Sequence, residues 1–315
     1  MAKHRAISRR RFLKYGIVGM AGLAGLNSLT NITRVLAQNP IPIENLQPGT
    51  TNWQITKYST DANLEITGYA AATSVNIGSS LNFYVSVNVA QTYTIEIYRM
   101  GWYGGTGGRL LQSIGSLSGI NQTVPTPDTL GTVACNWSLS YTLNVPATGW
   151  TTGAYLAKLT NANGFQNYIY FVVRDDSSNA DLLFKCSVNT YQAYNYFGGK
   201  SLYPDDSVNK VGARKVSFDR PLNNYASTFF TSWEMPLLRF IEKNGYNVSY
   251  CTDIDLHSNA TLLASHKALL STGHDEYWSG AMYDNALASR NAGKHLLSLG
   301  LTPYIGKFGW RTTTG

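Results

Sequence analysis

The sequence is short of charge. Asp, Glu, Lys and Arg make up 14% of its 315 residues, against roughly 25% in an average globular chain. That deficit excludes a coiled coil, a charged disordered tail and a solenoid of charged helices. Long apolar runs are missing too: no uninterrupted stretch reaches the ~18 residues of a membrane-spanning helix. Cysteine is scarce and odd in number, with Cys135, Cys186 and Cys251. None forms a C-x-x-C pair. Cys186 and Cys251 lie in apolar, strand-like runs, where a thiol serves as a small hydrophobe. One disulfide in an oxidising compartment stays open, and the sequence does not pair it. There is no H-E-x-x-H, no His or Cys cluster at zinc-finger spacing and no G-x-S-x-G elbow. What the chain has instead is 29 Gly, 21 Tyr and 43% hydrophobic residues. That suits a β-rich extracytoplasmic protein with a sizeable core, and the length suggests about two domains.

The net charge of +7 is local. Lys3, Arg5, Arg9, Arg10, Arg11, Lys14 and Arg34 fall within residues 1–37, which hold no Asp or Glu. Without those seven, 18 basic residues face 18 acidic ones. No electrostatic footprint for nucleic acid remains. Ser8-Arg9-Arg10-Arg11-Phe12-Leu13-Lys14 has the form of a twin-arginine export signal. A weakly apolar, Gly-rich stretch follows to about Leu26, and Val35-Leu36-Ala37 offers a cleavage site. Charged, apolar and small-residue regions come in the order an export signal requires. The expected partner is the twin-arginine machinery, which carries folded, often cofactor-loaded proteins. The expected destination is the periplasm, cell envelope or exterior, with no stable membrane span after cleavage. Oligomeric state is left open, a homo-oligomer included.

Residues 38–176 read as strands. Leu81–Val87 and Tyr93–Tyr98 alternate with period two, Ser138–Val145 and Ala154–Leu159 look similar, and Tyr168–Val173 is apolar throughout. Asn76-Ile77-Gly78, Gly104-Gly105 and the run from Pro146 to Gly149 supply turns. Short strands with regular turns and no helical period predict an immunoglobulin-like β-sandwich. The pattern changes after Asp175-Asp176-Ser177-Ser178-Asn179. Over 177–315, strand candidates Leu182–Val188, Asn247–Cys251, Ala268–Ser271 and His295–Leu299 alternate with helices. The helices are Pro236–Asn244, with Leu237, Leu238, Phe240 and Ile241 on its apolar side, and Gly280–Ala292. Alternation of this kind predicts a parallel α/β sheet, flavodoxin- or glutamine-amidotransferase-like. Ligands of such sheets lie off the carboxyl ends of the strands.

Two loops emerge at that edge. One is Thr190-Tyr191-Gln192-Ala193-Tyr194-Asn195-Tyr196-Phe197-Gly198-Gly199, rich in phenols; the other is Gly273-His274-Asp275-Glu276-Tyr277-Trp278-Ser279. No cysteine nucleophile follows the Ala268–Ser271 strand. His257 and His266 lie on polar connections and are expected to be solvated. Phenolate and carboxylate oxygens suit a hard cation such as ferric iron. Such a cation could polarise a carbonyl or acidify water. The plainer reading is that Tyr191, Tyr194 and Tyr196 pack an interface while Glu276 caps the next helix.

The chain resembles proteins related to the large (beta) subunit of N,N-dimethylformamidase, from Glu44 to about Gly300. The resemblance rests on Glu44-Asn45-Leu46-Gln47-Pro48-Gly49-Thr50, on Tyr98-Arg99-Met100-Gly101-Trp102-Tyr103-Gly104-Gly105, on the Tyr191–Gly199 loop with Ser201-Leu202-Tyr203, on Lys215-Val216-Ser217-Phe218-Asp219-Arg220-Pro221, and on Gly273–Ser279. It implies a mononuclear ferric iron held by two tyrosines and one glutamate, with a histidine two residues before the glutamate. Carried over, the metal ligands are Tyr155, Tyr194 and Glu276, and His274 is the catalytic proton carrier or orienter. The implied activity is hydrolysis of a small amide substrate. The Tyr98–Gly105 loop is expected to shape the sandwich edge. Relatives continue past the point where this chain closes, so the α/β domain is expected to be incomplete. Read one nucleotide earlier from the last base of the Gly300 codon, the tail can encode Ala-Asn-Ala-Ile-Tyr-Trp-Gln-Val-Arg. That run resembles the family's continuation, with an asparagine where Thr302 stands. The expectation is a frameshifted tail and, through it, a chain without activity. A reading of a different class is a cell-envelope glycan- or ligand-binding module built on Met100-Gly101-Trp102-Tyr103.

Overall fold

The computed structural model describes residues 39–300 and the pair 307–308. The expected export signal at 1–37 lies outside the described residues, as does the expected frameshifted tail apart from that pair. In the first half, eight strands form two sheets. They are β1 (Ile66–Ala70), β2 (Ser74–Asn76), β3 (Ser80–Val87), β4 (Gln91–Met100), β5 (Gly108–Gly119), β6 (Tyr141–Asn144), β7 (Gly153–Asn161) and β8 (Gln166–Arg174). The orders are β1-β3-β6 and β2-β8-β7-β4-β5, antiparallel except for β2 beside β8. Alternation decides which face is buried. Phe83 and Val85 of β3 and Leu143 of β6 meet Ile95 and Ile97 of β4, Tyr155 of β7 and Phe171 of β8 in one core. Each such side chain contributes about 1.5–3 kcal/mol through burial.

The second half opens with β9 (Leu182–Cys186), β10 (Val248–Thr252), β11 (Ala268–Gly273), β12 (Trp278–Ser279), β13 (His295–Gly300) and β14 (Lys307–Phe308). Four of these form a parallel sheet in the order β10-β9-β11-β13, and β12 pairs with β14. β10 is buried at every position, as a strand covered on both faces must be. The chain leaves β9 for one side and returns to its other side at β11. A crevice therefore opens beyond the carboxyl ends of β9 and β11. Among the described residues no helix is long and apolar enough to cross a membrane.

Several sequence expectations change in detail. β5 carries no clean alternation and is half exposed, which hid it. The helix expected at Pro236–Asn244 runs Met235–Lys243 and starts with its proline in the first turn. Gly245, at φ +70°, closes it, and the Gly245 and Tyr246 amides bond back to Glu242 and Ile241. Its buried face is Met235, Leu238, Ile241 and Glu242, so Phe240 points to solvent at 56% exposure. His266 is buried rather than solvated, because its Nδ1 is pinned 2.7 Å from the Ala180 carbonyl. His257 stands in the last turn of a helix, Asp253–Ser258, with Nδ1 2.7 Å from Ser279 Oγ. Ser279, not Glu276, caps the Gly280–Asn291 helix, accepting from the Met282 amide. The three cysteines are free and buried.

Candidate active site

The phenol-rich loop and the His274–Glu276 loop meet at that crevice. Tyr194 ends the short Val188–Tyr194 helix that follows β9. Thr190 on the same helix accepts the Glu276 amide at 3.1 Å through its Oγ1, so helix and loop are tied. The Tyr194 hydroxyl donates to Glu276 Oε2 at 2.8 Å and lies 3.3 Å from His274 Nε2. His274 Nε2 is 2.6 Å from the other oxygen, Oε1. Tyr203 also donates to Oε2, at 3.2 Å, and its ring stacks on Tyr194 with centroids 4.3 Å apart. Tyr277 reaches the Tyr203 hydroxyl at 2.5 Å. Phe229, Tyr225 and Trp233 pack edge-on or tilted against Tyr194 and His274, making the walls aromatic.

Burial and then the Glu276 carboxylate push the Tyr194 hydroxyl well above the usual phenol range, against the pull of the Tyr203 hydrogen bond. Burial does the same to Tyr203. Both phenols therefore carry their protons at neutral pH and spend them on one carboxylate oxygen. Two phenol oxygens and a carboxylate converging on one point, with an imidazole on the far side, fit a hard cation. Among the described residues, no group of three or more His, Cys, Asp or Glu side chains is placed to hold a metal ion.

The supports of the site are buried and charged. Lys185 on β9 is fully buried and paired with Asp253 and with Asp275, the latter at 2.9 Å. Burial opposes its charge, but the two aspartates outweigh that and hold its pKa above the lysine norm. Asp275 stands between His274 and Glu276, so this triad fixes the loop. Arg220 does the same for the phenol loop. It donates to the Gln192 side chain and to the carbonyls of Gln192, Asn195, Phe197 and Lys200, between 2.8 and 3.2 Å. Burial brings its pKa down to about 10, which still leaves it charged at neutral pH. This gives Arg220, within the Lys215–Pro221 motif, its structural role. Gly273 turns the chain out of β11 at φ +71°, with Trp233 Cβ 2.6 Å from where a side-chain carbon would sit. Gly273→Ala is expected to cost about 1–3 kcal/mol through strain and to displace Trp233 from His274. Thermal melts and the fluorescence of Trp233 check this; an unshifted melting temperature would contradict it.

Of the four site residues carried over from the family resemblance, the structure brings three together: Tyr194, His274 and Glu276. Tyr155 is not among them. It lies in the sandwich core, fully buried, its ring on Trp150 and its hydroxyl donating to the Thr151 carbonyl at 2.6 Å. Tyr203 stands by Glu276 in its stead. Its signal, Ser201-Leu202-Tyr203, carried no chemistry as sequence; only the fold brings it to the carboxylate. The Met100–Tyr103 segment is no open aromatic platform. Met100 and Tyr103 are buried, and Trp102 is faced by Lys243 Nζ at 4.5 Å and Arg239 at 5.5 Å.

A family model described as "N,N-dimethylformamidase beta subunit-like, C-terminal" matches residues 94–302. No curated protein matches the chain. Among solved structures, the chain is similar over 35% of its length to Spo0M, a sporulation control protein from Bacillus subtilis, at 12% identity, 48% coverage of that chain and a TM-score of 0.21. Over 35% it is similar to the alkylpurine DNA glycosylase AlkC from Pseudomonas fluorescens, at 14% identity, 30% coverage and 0.20. Over 75% it is similar to Cwp6 from Clostridium difficile, at 10% identity, 37% coverage and 0.19. The match spans less than half of each of those chains, and likenesses at this level carry no argument.

Proposed function

Because the chain belongs to the N,N-dimethylformamidase beta subunit-like family, we propose that it is a metal-dependent hydrolase of the C–N bond in small linear amides. One observation carries the reading: Tyr194 and Tyr203 both direct their hydroxyls at Glu276 Oε2, with His274 on Oε1. Tyr194, Tyr203 and Glu276 would hold ferric iron. Bound there, the iron would supply Lewis acidity toward an amide carbonyl or a water. His274, a quarter exposed, would orient the amide or pass a proton to its departing nitrogen. Its hydrogen bonds to Glu276 and Tyr194 keep the ring oriented. Phe229, Tyr225 and Trp233 receive apolar substituents and thin out water around the bond. The Lys185–Asp275 pair keeps the His274–Glu276 loop from swinging away.

The fold that accompanies this reading is an immunoglobulin-like sandwich over 38–176 and a flavodoxin- or glutamine-amidotransferase-like domain over 177–315. Export by the twin-arginine route belongs to the same proposal and rests on Ser8–Lys14. The ligand set is tested by metal analysis of conservative variants. Tyr194→Phe and Tyr203→Phe should each lose most of the bound iron, whereas Tyr155→Phe should keep it. Iron retained in Tyr203→Phe and lost in Tyr155→Phe would overturn the assignment.

A further inference from the structure

A second group of buried polar atoms lies behind the Val188–Tyr194 helix. Oγ of Ser187 and the hydroxyl of Tyr170 are buried without a hydrogen-bond partner in the protein, and Glu234 Oε2 faces only the Tyr191 hydroxyl and the Cys186 thiol. They belong together. Glu234 Oε1 accepts the Ser187 amide at 2.8 Å, the Tyr170 and Tyr191 rings are 6.1 Å apart, and Tyr191 and Cys186 face the carboxylate. Glu234 ends a π-turn, Phe230–Glu234. That turn sends Glu234 inward while the preceding Trp233 faces His274. Such turns gather at functional positions.

Unpartnered polar atoms beside a buried carboxyl are more than an apolar core tolerates, since each costs free energy unless something satisfies it. No cation is at hand, because Lys185 is committed to Asp253 and Asp275. A cavity of about 60 Å³ is lined by Tyr170, Cys186, Tyr191 and Phe230. It reaches the cluster through the Tyr170 and Tyr191 side chains and is large enough for water. We propose that Glu234, Ser187, Tyr170 and Tyr191 form an internal hydrated site that takes up and releases a proton while the protein stays folded. Its ligands are water and the proton.

The groups facing Glu234 are Tyr191 on the helix, Cys186 and Lys185 on β9, and Tyr170 on β8. Burial pushes the Glu234 carboxyl up from 4.5 to about 7, and Tyr191, the Ser187 amide, Lys185 and Cys186 restrain the rise. The folded state then binds this proton more tightly than the unfolded chain does. Its contribution to stability is full below the unfolded value and is lost as pH rises through about 7. The wild type should therefore lose more melting temperature between about pH 5 and about pH 8 than Glu234→Gln, which cannot ionise. A protonated-carboxyl infrared band should fade near neutrality in the folded wild type and be missing from Glu234→Gln. Equal pH slopes, or a band that does not titrate, would overturn the proposal. Should Glu234→Gln fail to fold, Tyr191→Phe serves. It removes a group that favours the anion, so the band's midpoint should move up; an unmoved midpoint would also overturn it.

Discussion

Glu242→Ala should destabilise the folded protein by about 3–5 kcal/mol, the scale for breaking one side of a buried ion pair. Arg99 and Glu242 are both fully buried and meet through two contacts, Nη2 to Oε1 at 2.7 Å and Nη1 to Oε2 at 3.0 Å. The guanidinium also donates to the Thr152 carbonyl and the Tyr103 hydroxyl, each at 2.9 Å. Glu242 in turn accepts from Tyr250 and Asn45. Burial works against the charge on Arg99, and Glu242 more than restores it. Without the carboxylate, a desolvated cation remains. The pair also joins β4 to the Met235–Lys243 helix, and so the antiparallel half to the parallel half. Gly101 belongs to the same device, since a side chain there would meet Glu242 Oε2 at 2.5 Å. Chemical denaturation checks the figure. A loss under about 1 kcal/mol would mean that the pair behaves like an exposed one.

The other large effect concerns chemistry rather than stability. Glu276→Ala should lower iron affinity by about 100-fold or more, beyond what is usual when only a supporting group is lost. Amide hydrolysis should fall with it. The fold should survive, because the Glu276 partners Tyr194, Tyr203 and His274 are partly exposed and can turn to water. The two readouts separate: metal lost with an unchanged melt supports a ligand role, and a collapsed melt assigns Glu276 to structure.

The strands of this chain were legible where alternation is strict. Phe83 and Val85, and Ile95 and Ile97, point to one core and say so in their spacing. β5 was not legible, since a half-exposed strand blurs the period that reveals it. Helix limits came within a residue or two because proline and glycine mark them, but Phe240 misled. Its position looked apolar, while burial on that helix follows Leu238, Ile241 and a glutamate needed by Arg99. His274, Glu276 and Tyr194 could be singled out because each follows a parallel strand, where such sheets open. Tyr203 could not. It is one of 21 tyrosines, follows no strand, and reaches Glu276 only through a loop that Arg220 holds by carbonyls. Tyr155 sits in a strand buried at nearly every position, and that context points inward.

Two phenols and a carboxylate at the β9–β11 crevice are proposed to hold a hard cation. Metal analysis of the purified wild-type protein, read with its visible absorption, tests this most directly. The expected result is stoichiometric iron and a phenolate-to-iron charge-transfer band that disappears in Tyr203→Phe. Folded protein that stays colourless and metal-free after incubation with iron would contradict it.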